Sequence, residues 1–221
     1  DLKLTGNISY WFDKRGINFG DIDSSFRLNR TQLANLNIFR KNDIDGFITA
    51  IGELKGKISD PDISINFNVD YPHFKGVRIR ETWGGEIKND KNEYLLYIKN
   101  KSYSTIPTFL SANFDSKLKL DSLTFSRVFN SDKGSIKIVK ENNKYIWNAD
   151  NFPLDELELS LSNNQFDRIS GIINGAGSIA LDQSYLDARF ALSLGKYRNI
   201  KLANSLFDFS LKNNSFYVNS S

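Results

Sequence analysis

The sequence has no cysteine and no methionine, one histidine and four prolines. Without cysteine there is no disulfide framework, no thiolate metal ligand and no cysteine nucleophile. The single imidazole, His73 between Pro72 and Phe74, excludes a multi-histidine metal site and leaves a Ser-His-Asp centre almost nothing to draw on. No apolar run approaches the roughly 18 residues of a membrane-spanning helix. Neither sign of charge dominates: 29 Lys and Arg stand against 26 Asp and Glu, a formal +3. That balance lacks the clustered basic face expected of a nucleic-acid-binding protein. No linker rich in Pro, Gly or Ser divides the chain, so residues 1–221 read as one continuous segment. It begins at Asp1 and stops mid-pattern at Ser221, as an internal slice of a longer protein would.

Helical periodicity is scarce as well. No long run places apolar residues at i, i+3, i+4 and i+7, and the best attempt, Leu123 to Phe129, would make two turns at most. Period-two alternation is abundant instead. Ile63, Ile65, Phe67 and Val69 alternate with Ser64, Asn66 and Asn68. Ala112, Phe114, Ser116, Leu118 and Leu120 alternate with Asn113, Asp115, Lys117 and Lys119. Leu157, Leu159 and Leu161 alternate with polar neighbours, and Leu186, Ala188, Phe190, Leu192 and Leu194 alternate with Asp187, Arg189, Ala191 and Ser193. Such runs predict strands with one apolar and one wet face. Asn-rich clusters such as 89–92, 141–144, 163–165 and 212–214 mark the turns. The expectation is an all-β chain of antiparallel hairpins in series, with little or no helix.

A degenerate repeat runs through these hairpins. Gly16-Ile17-Asn18-Phe19, Gly76-Val77-Arg78-Ile79 and Asn199-Ile200-Lys201-Leu202 match in kind. Gly52, Ile63, Phe67 and Phe74 align with Gly175, Leu186, Phe190 and Tyr197. This points to a sheet lengthened by adding similar units. A sheet apolar on one face must hide that face, and no helical layer is available to cover it. The alternatives are a sandwich, a closed barrel, or one long sheet folded around its apolar side as a trough. The open-ended repeats favour the trough, whose exposed apolar wall needs an apolar occupant. The residues expected to line it are Phe26, Leu28, Ile63, Ile65, Phe67, Phe114, Leu118, Leu157, Leu159, Leu161, Phe190, Leu192, Phe207 and Phe209. Taken singly, each is also an ordinary core residue.

Asp45-Gly-Phe-Ile-Thr-Ala-Ile-Gly-Glu-Leu-Lys-Gly56 followed by Ser59-Asp-Pro-Asp-Ile-Ser64 resembles the recurring G-x-L-x-G … P-x-I/L-x phrase of the TamB family of AsmA-like envelope proteins. The stretches 74–83 and 196–209 resemble its cyanobacterial and chloroplast-envelope members. The resemblance implies a β-taco trough in the periplasm, anchored to the inner membrane through a segment not present here. It implies phospholipid or hydrophobic polypeptide cargo, moved in lipid transport or outer-membrane biogenesis. It also implies an outer-membrane TamA/BamA-like barrel as partner, reached through parts outside this segment. The family carries no catalytic residues and no cofactor.

The remaining constellations have ordinary readings. Glu156 and Glu158 would project from one strand face about 7 Å apart, near the carboxylate spacing of an inverting glycosidase. They are expected to be plain exposed carboxylates opposite a leucine stripe. Lys75, Arg78 and Arg80 read as a guarded wet edge strand or as a basic lip for lipid headgroups. His73 reads as a loop histidine. Asp21, Asp23, Asp60 and Asp62 lack the rest of a calcium loop and read as turn residues. Gly171, Gly175 and Gly177 read as strand-kinking or bulge glycines. The expectation is a non-enzymatic hydrophobic conduit with no metal and no nucleic-acid partner. The alternatives are a structural or adhesive β-sandwich of a surface protein and, more remotely, a carbohydrate-active enzyme.

Overall fold

The computed structural model describes residues 2–220 except 15, 36, 42, 75–76, 80, 91–92, 102–106, 130–131, 156, 163–164, 183, 199 and 213–214. Strands make up 83% of it and helix 4%, in one large antiparallel sheet of 17 strands. In chain order these are β1 (Leu2–Asp13), β2 (Gly16–Gln32), β3 (Ile44–Lys57), β4 (Asp60–Phe74), β5 (Val77–Ile79), β6 (Thr82–Asp90), β7 (Glu93–Asn100), β8 (Thr108–Phe114) and β9 (Leu120–Phe129). There follow β10 (Asp132–Glu141), β11 (Lys144–Pro153), β12 (Leu157–Ser162), β13 (Gln165–Ala180), β14 (Leu186–Tyr197), β15 (Ile200–Lys201), β16 (Ser205–Lys212) and β17 (Ser215–Ser220). Helix is confined to a 3-10 turn at Leu33–Asn35 and α1 (Asn37–Lys41), among the described residues.

Directly opposed residues of antiparallel strands share a face. One row of opposed residues crosses the sheet from β1 to β17: Leu4, Phe26, Gly52, Ile65, Ile87, Leu96, Ala112, Leu123, Ile138, Trp147, Gly177, Ala188, Phe209 and Val218. Every member is apolar. The adjacent row, on the opposite face, reads Lys3, Arg27, Ile51, Asn66, Glu86, Tyr97, Ser111, Thr124, Lys137, Asn148, Ala176, Arg189, Asp208 and Asn219. The period-two pattern thus stays in register from strand to strand, and a one-residue slip anywhere would have mixed the faces.

The sheet closes on itself in its middle. The edge of β4 that faces away from β3 pairs first with β6, through Ser64 to Asp70, and then with β5, through His73 and Phe74. The corresponding edge of β13 pairs with β11 over one stretch and with β12 over another. β5 and β12 pair with each other, Val77 opposite Leu159, Arg78 opposite Glu158 and Ile79 opposite Leu157. Two routes therefore join β4 to β13: a long one through β6 to β11 and a short strap through β5 and β12. Together they make a ring, with β1–β3 and β14–β17 as wings on either side. Under the strap lies the packed core. Phe152, Leu154 and Leu157 are buried there, with Phe125, Ile136, Ile169, Ile173 and Leu192 against them. The ring of Phe125 stands 5.0 Å from Phe152 and 6.0 Å from Trp83, which joins β6, β9 and β11 across the interior.

The repeat is structural. The long hairpin β3–β4 is followed by the short β5 and by β6; the long hairpin β13–β14 is followed by the short β15 and by β16. The displacement that carries Gly52 to Gly175 also carries Phe74 to Tyr197 and Val77 to Ile200. Leu123 to Phe129, the best of the weak helical candidates, lies in β9 as an all-β chain requires, with Leu123 and Phe125 facing the apolar side and Ser122 and Thr124 the other. One local expectation is corrected. Ala112 to Leu120 is not one strand. β8 ends at Phe114, and the Asp115 carboxylate accepts the backbone N–H groups of Lys117 and Lys119 at 2.9 and 2.8 Å, turning the chain into β9.

Candidate functional site

The expected groove residues divide into four groups. Phe26 and Leu28 on β2, Ile63, Ile65 and Phe67 on β4, Phe114 on β8, Phe190 and Leu192 on β14, and Phe207 and Phe209 on β16 are all half-buried. The cross-strand registers put them on the one apolar face. Leu157, on the strap strand β12, is buried in the core rather than lining an open wall. The side chains of Leu159 and Leu161 lie outside the described residues. Leu118 is on no wall: it sits in the β8–β9 turn with φ of 58° and is 66% exposed, because Asp115 breaks the strand before it. Of the other aromatics named from the sequence, the side chains of Phe12 and Phe216 also lie outside the described residues.

Side-chain packing on this face follows one device. A Cβ added to Gly52 would run into the ring of Phe26 on the next strand, and one on Gly85 would meet Phe67. Each glycine gives up its own side chain so that a neighbouring ring can lie flat across it. On β14 and β16 the rings gather: Phe190 lies 5.1 Å from Phe207 and 5.3 Å from Phe209, the latter stacked at 12°. Exposure rises toward the ends of the sheet. Phe152 in the core is 2% exposed, whereas Leu4 on β1 and Val218 on β17 are 68% and 51% exposed. The apolar face is thus sealed under the strap and uncovered at the wings. Concavities of about 530 Å³ over β1–β4 and about 650 Å³ over β11, β13, β14 and β16 lie mainly on the other face. Lys3, Thr5, Arg27, Glu53 and Asn66 line the first, with Phe26 and Gly52 of the apolar row beside them. Asn148, Asp150, Asn174, Ala176 and Arg189 line the second.

Glu158 differs from its expectation. It is 1% exposed, and its carboxylate accepts from Arg78 Nε at 2.8 Å and Nη2 at 2.7 Å. Arg78 is accordingly neither an edge guard nor a lip: β5 lies between β4 and β12, and the pair fastens the strap. Glu156, Lys75 and Arg80 lie outside the described residues. His73 is on a strand rather than a loop, opposite Asp45 on one side and Arg78 on the other. Burial pushes the Asp45 carboxyl up, but the Gly46 N–H, Gln32, the Ala34 N–H and the charge of His73 outweigh it and hold the group below its ordinary value. The Asp-x-Asp pairs are ladder residues and not turn residues. Asp21 and Asp60 both oppose Lys57, and Asp23 and Asp62 both oppose Lys55. No cluster of three or more metal-ligating groups occurs among the described residues. Gly171, with φ of 134°, sits at the bulge of β13 between Ser170 and Ile172.

Sequence reasoning missed Arg127. It is 1% exposed, donates from Nη1 to the Pro153 carbonyl at 2.7 Å and from Nε to Thr108 Oγ1 at 3.3 Å, and sits 6.0 Å from the Phe152 ring. The signal was present, since Leu123, Phe125 and Arg127 alternate on one face, but it is visible only when that stretch is read as strand. No protein-family model matches the chain, and no curated protein and no solved structure matches it.

Proposed function

We propose that this chain is a non-enzymatic hydrophobic conduit of the cell envelope, whose apolar sheet face holds lipid acyl chains or hydrophobic polypeptide segments. The observation that carries this reading is the unbroken apolar row from Leu4 to Val218, with its wings exposed. A one-layer sheet with that much uncovered apolar surface gains by burying it against an apolar ligand, at about 25 cal/mol per Å² removed from water. The aromatic gathering of Phe190, Phe207 and Phe209 offers flat walls of the kind that line apolar sites. The TamB-like phrases support the same reading and extend it to transfer between inner and outer membranes. A periplasmic position, an inner-membrane anchor and an outer-membrane barrel partner are proposed on that resemblance alone.

One observation favours the structural alternative for part of the molecule. The ring from β4 to β13 has its own packed core, as a structural or adhesive domain would. The two readings separate by site. In the conduit, an acyl-chain probe binds the wings and phospholipid displaces it, while the strapped end of the ring stays closed. Absence of saturable probe binding by the folded protein would leave the structural reading in its place.

A further inference from the structure

The two repeats differ at one edge. In the first, β5 is held on both sides: Arg78 opposes His73 of β4 and Glu158 of β12, and Val77 opposes Phe74 and Leu159. In the second, the register is reproduced on one side only. Lys201 of β15 opposes Lys196, and Ile200 opposes Tyr197. Among the described residues nothing pairs with the other side of β15. The strands agree in kind, Val77-Arg78-Ile79 against Ile200-Lys201-Leu202, each apolar, basic, apolar. The outer edge of β15 is thus a vacant counterpart of the edge that Leu157-Glu158-Leu159 fills.

Three features of that edge point to the same kind of occupant. Ile200 and Leu202 are 64% and 38% exposed, whereas Val77, the counterpart of Ile200 in the first repeat, is half-buried. Lys196 and Lys201 stand directly opposite one another, an arrangement that like charges disfavour. Among the described residues no ion pair joins either to an acid. A concavity of about 490 Å³ borders the strand, lined by Lys196, Lys201, Leu202, Leu194 and Asp155 among others. Asp155 is the one acid on that lining, and among the described residues no ion pair joins it to either lysine. In the first repeat the equivalent row, His73 and Arg78, is completed by a carboxylate.

We propose that the outer edge of β15 receives an extended segment of another polypeptide, antiparallel, reading apolar–acidic–apolar, with the acidic residue opposite Lys201. Backbone hydrogen bonds to the free edge supply affinity, and the carboxylate over the paired lysines supplies selectivity. The site is independent of the acyl-chain reading, since it uses an edge and not a face.

The test uses a labelled peptide spanning residues 155–161 and the folded chain, followed by anisotropy at low ionic strength. Saturable one-to-one binding is expected, weakened at least tenfold by Lys201→Glu. A peptide carrying Glu158→Lys should restore binding to the Lys201→Glu protein and bind the unaltered protein poorly. Lys201 is exposed, so the variant should fold, and the near-ultraviolet signal of the three tryptophans checks that it does. No saturable binding to the unaltered protein overturns the proposal. Equal binding to Lys201→Glu also overturns it, since the peptide would then be exchanging into the β5 edge. Self-association abolished by Lys201→Glu would assign the edge to a second copy and overturn the heterologous partner.

Discussion

Glu158 and Arg78 come from positions far apart in the chain, and their meeting decides what a single substitution does. A buried carboxylate bonded to a guanidinium leaves an uncompensated charge when its partner is cut away, at a cost of about 3–5 kcal/mol. Arg78 keeps 33% of its side chain in water, which screens part of that loss. Glu158→Gln is therefore expected to lower unfolding stability by about 2–3 kcal/mol, from that range after screening, measured by urea titration. A change below about 0.5 kcal/mol, the size usual for surface positions, would mean that the pair does not hold the strap. Gly52 makes the opposite case. Gly52→Ala pushes a methyl group into the Phe26 ring, and overpacking of this kind costs about 1–3 kcal/mol. Leu118→Asp, on an exposed turn, should cost almost nothing.

At the scale of the element, the strands differ in how much of the apolar face they seal. Phe152→Ala removes a ring from the core beneath the strap and should cost about 3–5 kcal/mol. Phe209→Asp lies on a half-buried wing, where the new carboxylate keeps contact with water, so stability should fall by clearly less while acyl-chain binding is lost. Equal losses of stability at both positions, compared by denaturant melts, would argue for a uniformly closed sandwich. Most of the strands were legible in the sequence because alternation is a local signal. Ile63 to Val69 and Leu186 to Leu192 declare their faces within a few residues. The repeat equivalence of 52–74 and 175–197 was legible for the same reason. The turn at Asp115 was not, since the alternation from Ala112 to Leu120 persists straight through it. The burial of Glu158 and the ring itself were invisible, because both depend on β5 meeting a strand some eighty positions away, which no local pattern encodes.

For the molecule as a whole, charge adds a pH dependence that follows from several carboxylates together. Asp167 is held below its ordinary value of 3.8 by the hydrogen bond from Arg198, Asp208 by that from Arg189, Asp182 by that from Ser184, and Asp115 by the Lys119 N–H. Asp45 is held below it too, against its burial. A carboxylate whose folded value is depressed contributes stability that is complete above the unfolded value and lost as pH falls through the folded one. Melting temperature should therefore be flat from neutral pH down to about 5 and fall below about 4, from the ordinary carboxylate range. A melt unchanged at pH 2.5 would contradict these pairings. Across the whole molecule, the apolar face from Leu4 to Val218 is proposed as a surface for apolar cargo. Its most direct test is saturation binding of a fluorescent acyl-chain probe to the folded protein, with phospholipid as competitor. Saturable binding is expected, displaced by phospholipid and abolished by Phe209→Asp. A folded protein that binds no probe, or binds it equally well with Phe209→Asp, would contradict it.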